Sequence, residues 1–121
     1  MTRELYVAVV GPSAGTPAEL AIGEAVGRLV AEAGAVLVCG GMGEARNAIV
    51  VRTADVVIAL HGEFGTLSEI ALALKIGRPV VGLGTWELRK AGEPVDAIVR
   101  ATSAEDAVAR ALQLASEGRE S

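Results

Sequence analysis

The sequence of 121 residues is poor in aromatic and basic residues, and both shortages exclude partners. One Phe, one Trp and one Tyr cannot supply the row of rings on which single-stranded nucleic acid stacks. The eleven basic residues are scattered and the formal net charge is −4, so no basic patch is formed. We therefore expect no nucleic-acid partner.

Cysteine and long apolar runs are also scarce. The single cysteine, Cys39, cannot form an internal disulfide, and its place in the run AVLVCG predicts a small buried apolar residue in a reducing compartment. No apolar run reaches the ~20 residues that span a bilayer, and Arg3 and Glu4 precede only a short one. We expect a cytoplasmic protein without a signal peptide or a membrane partner.

What the sequence contains is a series of short runs rich in β-branched residues. Five runs predict buried strands, at residues 5–11, 35–41, 55–60, 79–84 and 96–102. Helical patterns lie between them, with apolar faces in residues 17–33 and 104–117. Because strands and helices alternate and the strands are apolar throughout, we predict an α/β fold. It is a three-layer, Rossmann-like domain whose five-stranded parallel sheet has the order 2-1-3-4-5, with helices on both faces.

The ends and turns complete this prediction. We expect residues 1–118 to form a single domain and residues 119–121 to form a frayed tail. Residues 85–94 are expected to form a polar, irregular connection. Three helices are predicted to begin with a hydroxyl N-cap and a carboxylate three residues later. These pairs are Thr16 with Glu19, Thr66 with Glu69, and Ser103 with Asp106. The second pair gives Glu69 a structural role.

A sheet of this order holds its ligand at the carboxyl ends of the first and third strands, where the strand order reverses. The loops that leave them, 11–16 and 61–65, each carry two glycines and lead into a helix. Backbone amides in such loops can approach an anion. Another glycine pair follows the second strand. The candidate ligand-binding residues are Gly11, Ser13, Gly15, Gly40, Gly41, Gly62, Glu63, Phe64, Gly65 and Thr66.

The segment GEARNAIVVRTADVVIALHGEFGTLSEIALALKIGRPVVGL resembles a known Rossmann-like family. That family, known as possible lysine decarboxylases, includes the LONELY GUY phosphoribohydrolases and the molybdenum-cofactor carrier proteins. It carries an arginine on the helix before the motif strand, followed by Pro-Gly-Gly-x-Gly-Thr-x-x-Glu. Arg46 matches the arginine, and Gly62, Gly65, Thr66 and Glu69 match the second motif. Asn47, next to the arginine, joins the candidate ligand-binding residues.

This sequence departs from the family pattern at three places, so it resembles a shortened member. His61 stands in place of the proline, and Glu63 in place of the second glycine. Longer relatives also insert a turn, a helix and a strand where this chain continues directly from Gly41 to Met42. The Glu63 carboxylate would repel a phosphate ~5 Å away by roughly 3 kcal/mol at an effective dielectric of ~20. That repulsion is avoided if Glu63 points to solvent or pairs with His61.

The activity in the family's name does not suit these residues. A lysine decarboxylase holds pyridoxal phosphate on a lysine, but Lys75 and Lys90 are the only lysines and neither is predicted near the crevice. We expect no resident cofactor and no metal. The leading hypothesis is binding of a nucleotide-like or other phosphate-bearing small molecule.

Two alternatives remain open. The first is a phosphoribohydrolase that cleaves the N-glycosidic bond of a nucleoside 5′-monophosphate. For it the resemblance implies that Arg46 anchors the substrate and that Glu69 acts as the catalytic carboxylate. The second is a non-catalytic assembly protein. The resemblance and the alanine-rich helices also predict a homo-oligomer.

Overall fold

The computed structural model describes residues 4–11, 15–39 and 44–120, without the side chains of residues 44–47, 119 and 120. Strands and helices alternate up to the fourth strand, and three further short strands then precede the last helix. The strands are β1 (Tyr6–Val10), β2 (Val36–Val38), β3 (Val56–Leu60), β4 (Val80–Leu83), β5 (Leu88–Lys90), β6 (Glu93–Val95) and β7 (Ile98–Arg100). The helices are α1 (Pro17–Glu32), α2 (Glu44–Thr53), α3 (Phe64–Lys75) and α4 (Ala104–Glu120).

The main sheet has five parallel strands in the order β2-β1-β3-β4-β7. The order and the number of strands predicted from the sequence are confirmed, with β7 as the fifth predicted strand. All five residues of β3 are buried, as expected for a central strand that helices cover on both faces. The order reverses between β1 and β3, and sheets of this kind bind ligands at the carboxyl ends of the strands on either side of the reversal.

Helices cover both faces of the sheet. Helices α1 and α4 pack on one face through small aliphatic side chains, and α2 and α3 pack on the other. The predicted inner face of α1 is confirmed at Val26 and Val30, which are fully buried. Gly34 follows the helix with a φ of 80°, as its predicted place after the C-cap requires. In this three-layer arrangement α1, which follows β1, and α3, which follows β3, lie on opposite faces of the sheet.

Two of the three predicted helix starts are found. Glu19 N donates to Thr16 Oγ1 at 3.2 Å, and Thr16 N donates to Glu19 Oε1 at 2.9 Å, which closes the capping box of α1. At α4, Asp106 N donates to Ser103 Oγ at 3.0 Å, but the Asp106 carboxylate accepts from Thr102 N instead of completing the box. The third prediction, a cap at Thr66, is wrong, because α3 begins two residues earlier.

The segment predicted as an irregular connection forms a small antiparallel hairpin, β5 paired with β6. Its turn holds two residues with left-handed φ angles, Ala91 at 51° and Gly92 at 83°. Such turns normally carry Asn or Gly at the first of these positions. Because Ala91 occupies that position and Pro94 interrupts the second strand, the sequence lacked the usual hairpin signal.

Two chain segments differ from expectation at their ends. Cys39 lies just beyond β2 and is exposed rather than buried, because the strand already ends at Val38. Helix α4 continues to Glu120, past Gly118, where we placed the end of the domain. None of the helices in the described ranges has the length and apolarity that crossing a membrane requires.

Candidate functional site

The strands that precede the two glycine loops, β1 and β3, are parallel neighbours, so their carboxyl ends lie side by side. A Cβ atom on Gly11 would lie 3.0 Å from the carbonyl oxygen of Leu60, so the two strand ends approach closely. A Cβ atom on Gly15 would lie 3.1 Å from Glu19 Oε1. Gly11 thus lies against the end of β3, and Gly15 lies beside Glu19 at the start of α1. Ser13, Gly40 and Gly41 lie outside the described residues, as does the junction at which the chain is shorter than its longer relatives.

The turn after β3 takes an unusual backbone path. His61 and Gly62 both have positive φ angles, 47° and 95°. A side chain on Gly62 would also overlap Thr66, with its Cβ 2.7 Å from Thr66 Cγ2. Glycine is required at position 62 for both reasons. Proline fixes φ near −65°, so the family's proline could not replace His61 in this conformation.

The start of α3 is left open by this turn. Glu63 is the N-cap residue and its side chain makes no capping hydrogen bond. The first amides of any helix lack partners within the helix, and at α3 these belong to Glu63, Phe64, Gly65 and Thr66. No side chain in the described part of the chain accepts a hydrogen bond from them. Helix α1, by contrast, is closed by Thr16. The start of α3 can therefore accept an external anion.

The position of Glu69 changes with the helix start. Thr66 lies in the first turn of α3 and is buried against Gly62, so it cannot cap the helix and Glu69 is not its partner. Glu69 is half-buried, and desolvation raises the pKa of its carboxyl above the ordinary value. Among the described residues no hydrogen bond or ion pair reaches this carboxylate. The structural role predicted for Glu69 is wrong, which leaves the carboxyl available for chemistry.

The carbonyl groups of the turn are held by the loop that follows β4. Thr85 Oγ1 donates to His61 O at 2.6 Å, and His61 N donates to Leu83 O at 3.2 Å. The carbonyl of Glu63 accepts from Leu67 N and from Trp86 Nε1, each at 3.1 Å. The Glu63 side chain is exposed to solvent. Trp86 was missed as a site residue because nothing in its polar segment marked it.

His61 makes a contact that the sequence did not indicate. Its Nδ1 lies 3.6 Å from Glu19 Oε2, which joins the turn after β3 to the start of α1. Of the two ways in which the Glu63 charge could be kept from a phosphate, the structure shows the solvent-facing side chain and not a pair with His61. A backbone hydrogen bond from Thr16 and, less strongly, the nearby His61 hold the pKa of Glu19 below its ordinary value. The Nε2 atom of His61 is buried without a partner in the described structure. Glu19 was missed because its capping role already explained it.

The remaining candidates are placed by the backbone. Arg46 and Asn47 lie in the first turns of α2, which starts after β2 and therefore at the carboxyl edge of the sheet; their side chains fall outside the description. Lys75 ends α3 at the opposite edge, and Lys90 lies in the hairpin. In the described ranges no three His, Cys, Asp or Glu residues are grouped to hold a metal ion.

Comparison with known proteins adds a family and a fold. The sequence profile of the SLOG cluster4 family matches residues 41–113. An uncharacterised protein of Archaeoglobus fulgidus is 52% identical over 42 residues, which cover 35% of this chain and 28% of that protein. The matching segment thus spans little more than a quarter of that relative.

Solved structures are similar over nearly the whole chain. The molybdenum cofactor binding protein from the phototrophic bacterium Rippkaea orientalis is 25% identical, with a TM-score of 0.77, over 94% of this chain and 99% of its own. The molybdenum cofactor carrier protein of Chlamydomonas reinhardtii is 23% identical, with a TM-score of 0.79 and the same coverage. The CMP N-glycosidase BcmB of Clostridium botulinum is 13% identical, with a TM-score of 0.53, over 90% of this chain and 98% of its own. The last two likenesses concern the fold alone.

Proposed function

The chain belongs to the SLOG cluster4 family, and on that premise we propose that it binds a nucleotide-like or other phosphate-bearing small molecule. The phosphate occupies the start of α3, and the rest of the ligand extends along the carboxyl ends of β1 and β3. Two proteins of similar fold are named after a small molecule, a molybdenum cofactor binding protein and a CMP N-glycosidase, and this supports a small-molecule site.

One observation carries this proposal: α3 begins at the strand-order reversal without a cap. Its first amides have no acceptor among the described residues, and Gly62 lets the backbone approach a ligand closely. Unpaired amides and the helix dipole together favour an anion at such an end. The Glu63 carboxylate is exposed, so it repels a phosphate less than an inward-pointing one would.

A thermal-shift panel of nucleotides, sugar phosphates and pterin phosphates tests the proposal. A ligand present at a hundred times its dissociation constant stabilises the fold by about 2.7 kcal/mol, which raises the melting temperature measurably. Matched compounds without the phosphate serve as controls. The proposal predicts that at least one phosphate compound raises the melting temperature more than its unphosphorylated match. A panel without any such difference would remove the proposal.

The half-buried carboxyl of Glu69 supports a second candidate function. This function is the hydrolysis of a nucleoside 5′-monophosphate to the free base and ribose 5-phosphate. A half-buried carboxyl whose pKa is raised by desolvation is a candidate for a catalytic acid or base. In this reading Arg46, on the first turn of α2, anchors the substrate. Chromatography of the released base measures the activity directly. If the parent protein releases the base and Glu69→Gln binds the substrate without releasing it, catalysis is supported. If the parent protein releases no base, only the binding proposal remains.

Two further properties belong to the same proposal. The likeness and the alanine-rich helices support a homo-oligomer, and light scattering at micromolar concentration tests it against the mass of one 12.3 kDa chain. The single cysteine supports a cytoplasmic location. A non-catalytic assembly protein is the outcome that remains if neither binding nor base release is found.

A further inference from the structure

The only Phe and the only Trp of the chain meet beside the start of α3. The ring centroids of Phe64 and Trp86 lie 5.8 Å apart, and the rings are tilted by 31°. Phe64 is 76% exposed although it belongs to the first turn of a helix that packs on the sheet. A single exposed apolar side chain is ordinary, but here two large rings form one surface at the edge of the candidate site.

Trp86 is fixed in place from three sides. Its indole Nε1 donates to Glu63 O at 3.1 Å, and its own carbonyl accepts from Arg100 Nη2 at 2.6 Å. The ring also packs against the core on the α2 and α3 face of the sheet. Phe64, as the first residue of α3, has its backbone held by the helix. Trp86 is therefore held in place before any ligand arrives and Phe64 projects from a fixed backbone, which lowers the entropic cost of binding.

This surface and the open amides of α3 are neighbours. The indole of Trp86 contacts the carbonyl of Glu63, the residue whose own amide begins the uncapped end. Trp86 follows β4, whereas the contact between His61 and Glu19 lies toward β1, on the other side of β3. The anion site thus has a polar flank and an aromatic flank. A ligand with a phosphate at one end and a planar ring at the other can occupy the amides and the aromatic flank together.

We propose that Phe64 and Trp86 bind the planar heteroaromatic ring of the ligand and so determine its specificity. This inference rests on the proposed phosphate-binding function and names the ligand class: a phosphate ester that carries a heteroaromatic ring. Stacking of a ring on an aromatic side chain is tolerant of the ring's identity, so the surface selects nucleotide-like compounds over simple sugar phosphates without selecting one base.

Isothermal titration with AMP and with ribose 5-phosphate separates the two claims. In the parent protein AMP is expected to bind about tenfold more tightly than ribose 5-phosphate, because only AMP has a ring to stack. Phe64→Ala is expected to remove most of that difference in affinity and to leave the affinity for ribose 5-phosphate unchanged. Phe64→Tyr is expected to keep the difference, because it retains an aromatic ring. Ile49→Ala is the matched control, since Ile49 is 64% exposed on another helix. Phe64 makes few buried contacts, so its variants are expected to fold.

Fluorescence gives a second readout, because Trp86 is the single tryptophan. AMP is expected to change the indole emission and ribose 5-phosphate is not. If both compounds bind equally and Phe64→Ala changes neither affinity, the aromatic inference is overturned while phosphate binding stands. If neither compound binds, both are overturned. If Phe64→Ala lowers only the mass measured by light scattering, the rings form a contact between copies of the chain, and the inference is again wrong.

Discussion

Replacing Glu63 by glutamine tests how an exposed negative charge tunes the anion site. Glu63 is the N-cap residue of α3, its side chain is exposed, and no hydrogen bond of that side chain closes the helix end. Glu63→Gln removes the charge and keeps the side chain's size. The variant is expected to bind phosphate compounds more tightly, because one repulsive charge near the open amides is gone.

The size of the effect follows from the exposure of Glu63. At ~5 Å, two unit charges repel by about 0.8 kcal/mol in water and by about 3 kcal/mol at an effective dielectric of ~20. Because the side chain faces solvent, the water value applies, and the expected tightening is about fourfold per unit of phosphate charge. This is far below the hundredfold that an inward-pointing carboxylate would give. The helix loses a favourable charge at its start, so stability falls by about 0.3–1 kcal/mol.

Titration of parent and variant with inorganic phosphate and AMP at low and high salt measures this effect. The difference in phosphate affinity between the parent and Glu63→Gln should decrease as the salt concentration rises, since exposed charges are screened. Glu24→Gln is the control, because it changes the net charge from −4 to −3 in the same way but from the middle of α1. Equal affinities of the parent and Glu63→Gln at low salt would refute the reasoning. A hundredfold gain would mean that Glu63 points into the site.

Four further substitutions test the rest of the structure. Gly62→Ala should lower the melting temperature and abolish phosphate binding, because its methyl group would overlap Thr66; unchanged binding would refute the turn geometry. His61→Pro should destabilise by about 2 kcal/mol or more in chemical denaturation, since a φ of 47° is closed to proline and the bond to Leu83 is lost; equal stability would contradict this backbone. Glu69→Gln should raise the melting temperature at pH 7, because burial favours the protonated carboxyl and ionisation costs stability once pH rises through its raised pKa. Below about pH 4 the carboxyl is protonated in both folded and unfolded chains, so the gain in melting temperature should vanish. A gain that does not depend on pH would contradict the claim that burial desolvates this carboxyl. Ala91→Gly should stabilise the hairpin by about 1 kcal/mol, because a left-handed φ is strained for alanine, and slower amide exchange in β5 and β6 would register it.

The fold was predictable from the sequence because its signals are local and repeated. Short β-branched runs and periodic helices predicted the elements, the general order of doubly wound sheets predicted their arrangement, and a glycine after α1 marked that helix's end. The candidate site was predicted only in outline. Its glycines and Glu63 were named, but the start of α3 was placed at Thr66, since the left-handed φ of His61 has no sequence signature.

The parts that the sequence missed depend on contacts between distant segments. The pairing of His61 with Glu19 and the contact of Phe64 with Trp86 join residues that only the packed sheet brings together. The exposure of Cys39 follows from where β2 ends, which periodicity locates only to within a few residues. Long-range contacts of this kind decide the chemistry of the site while leaving no periodic pattern.

The most direct test of phosphate binding at α3 is a titration of the ¹⁵N-labelled protein with inorganic phosphate and AMP, followed by amide chemical shifts. The account predicts saturable shifts that are largest at the amides of residues 62–66, with smaller changes at the start of the capped helix α1. Shifts confined to surface lysines and arginines, or no saturable shift at residues 62–66, would contradict it.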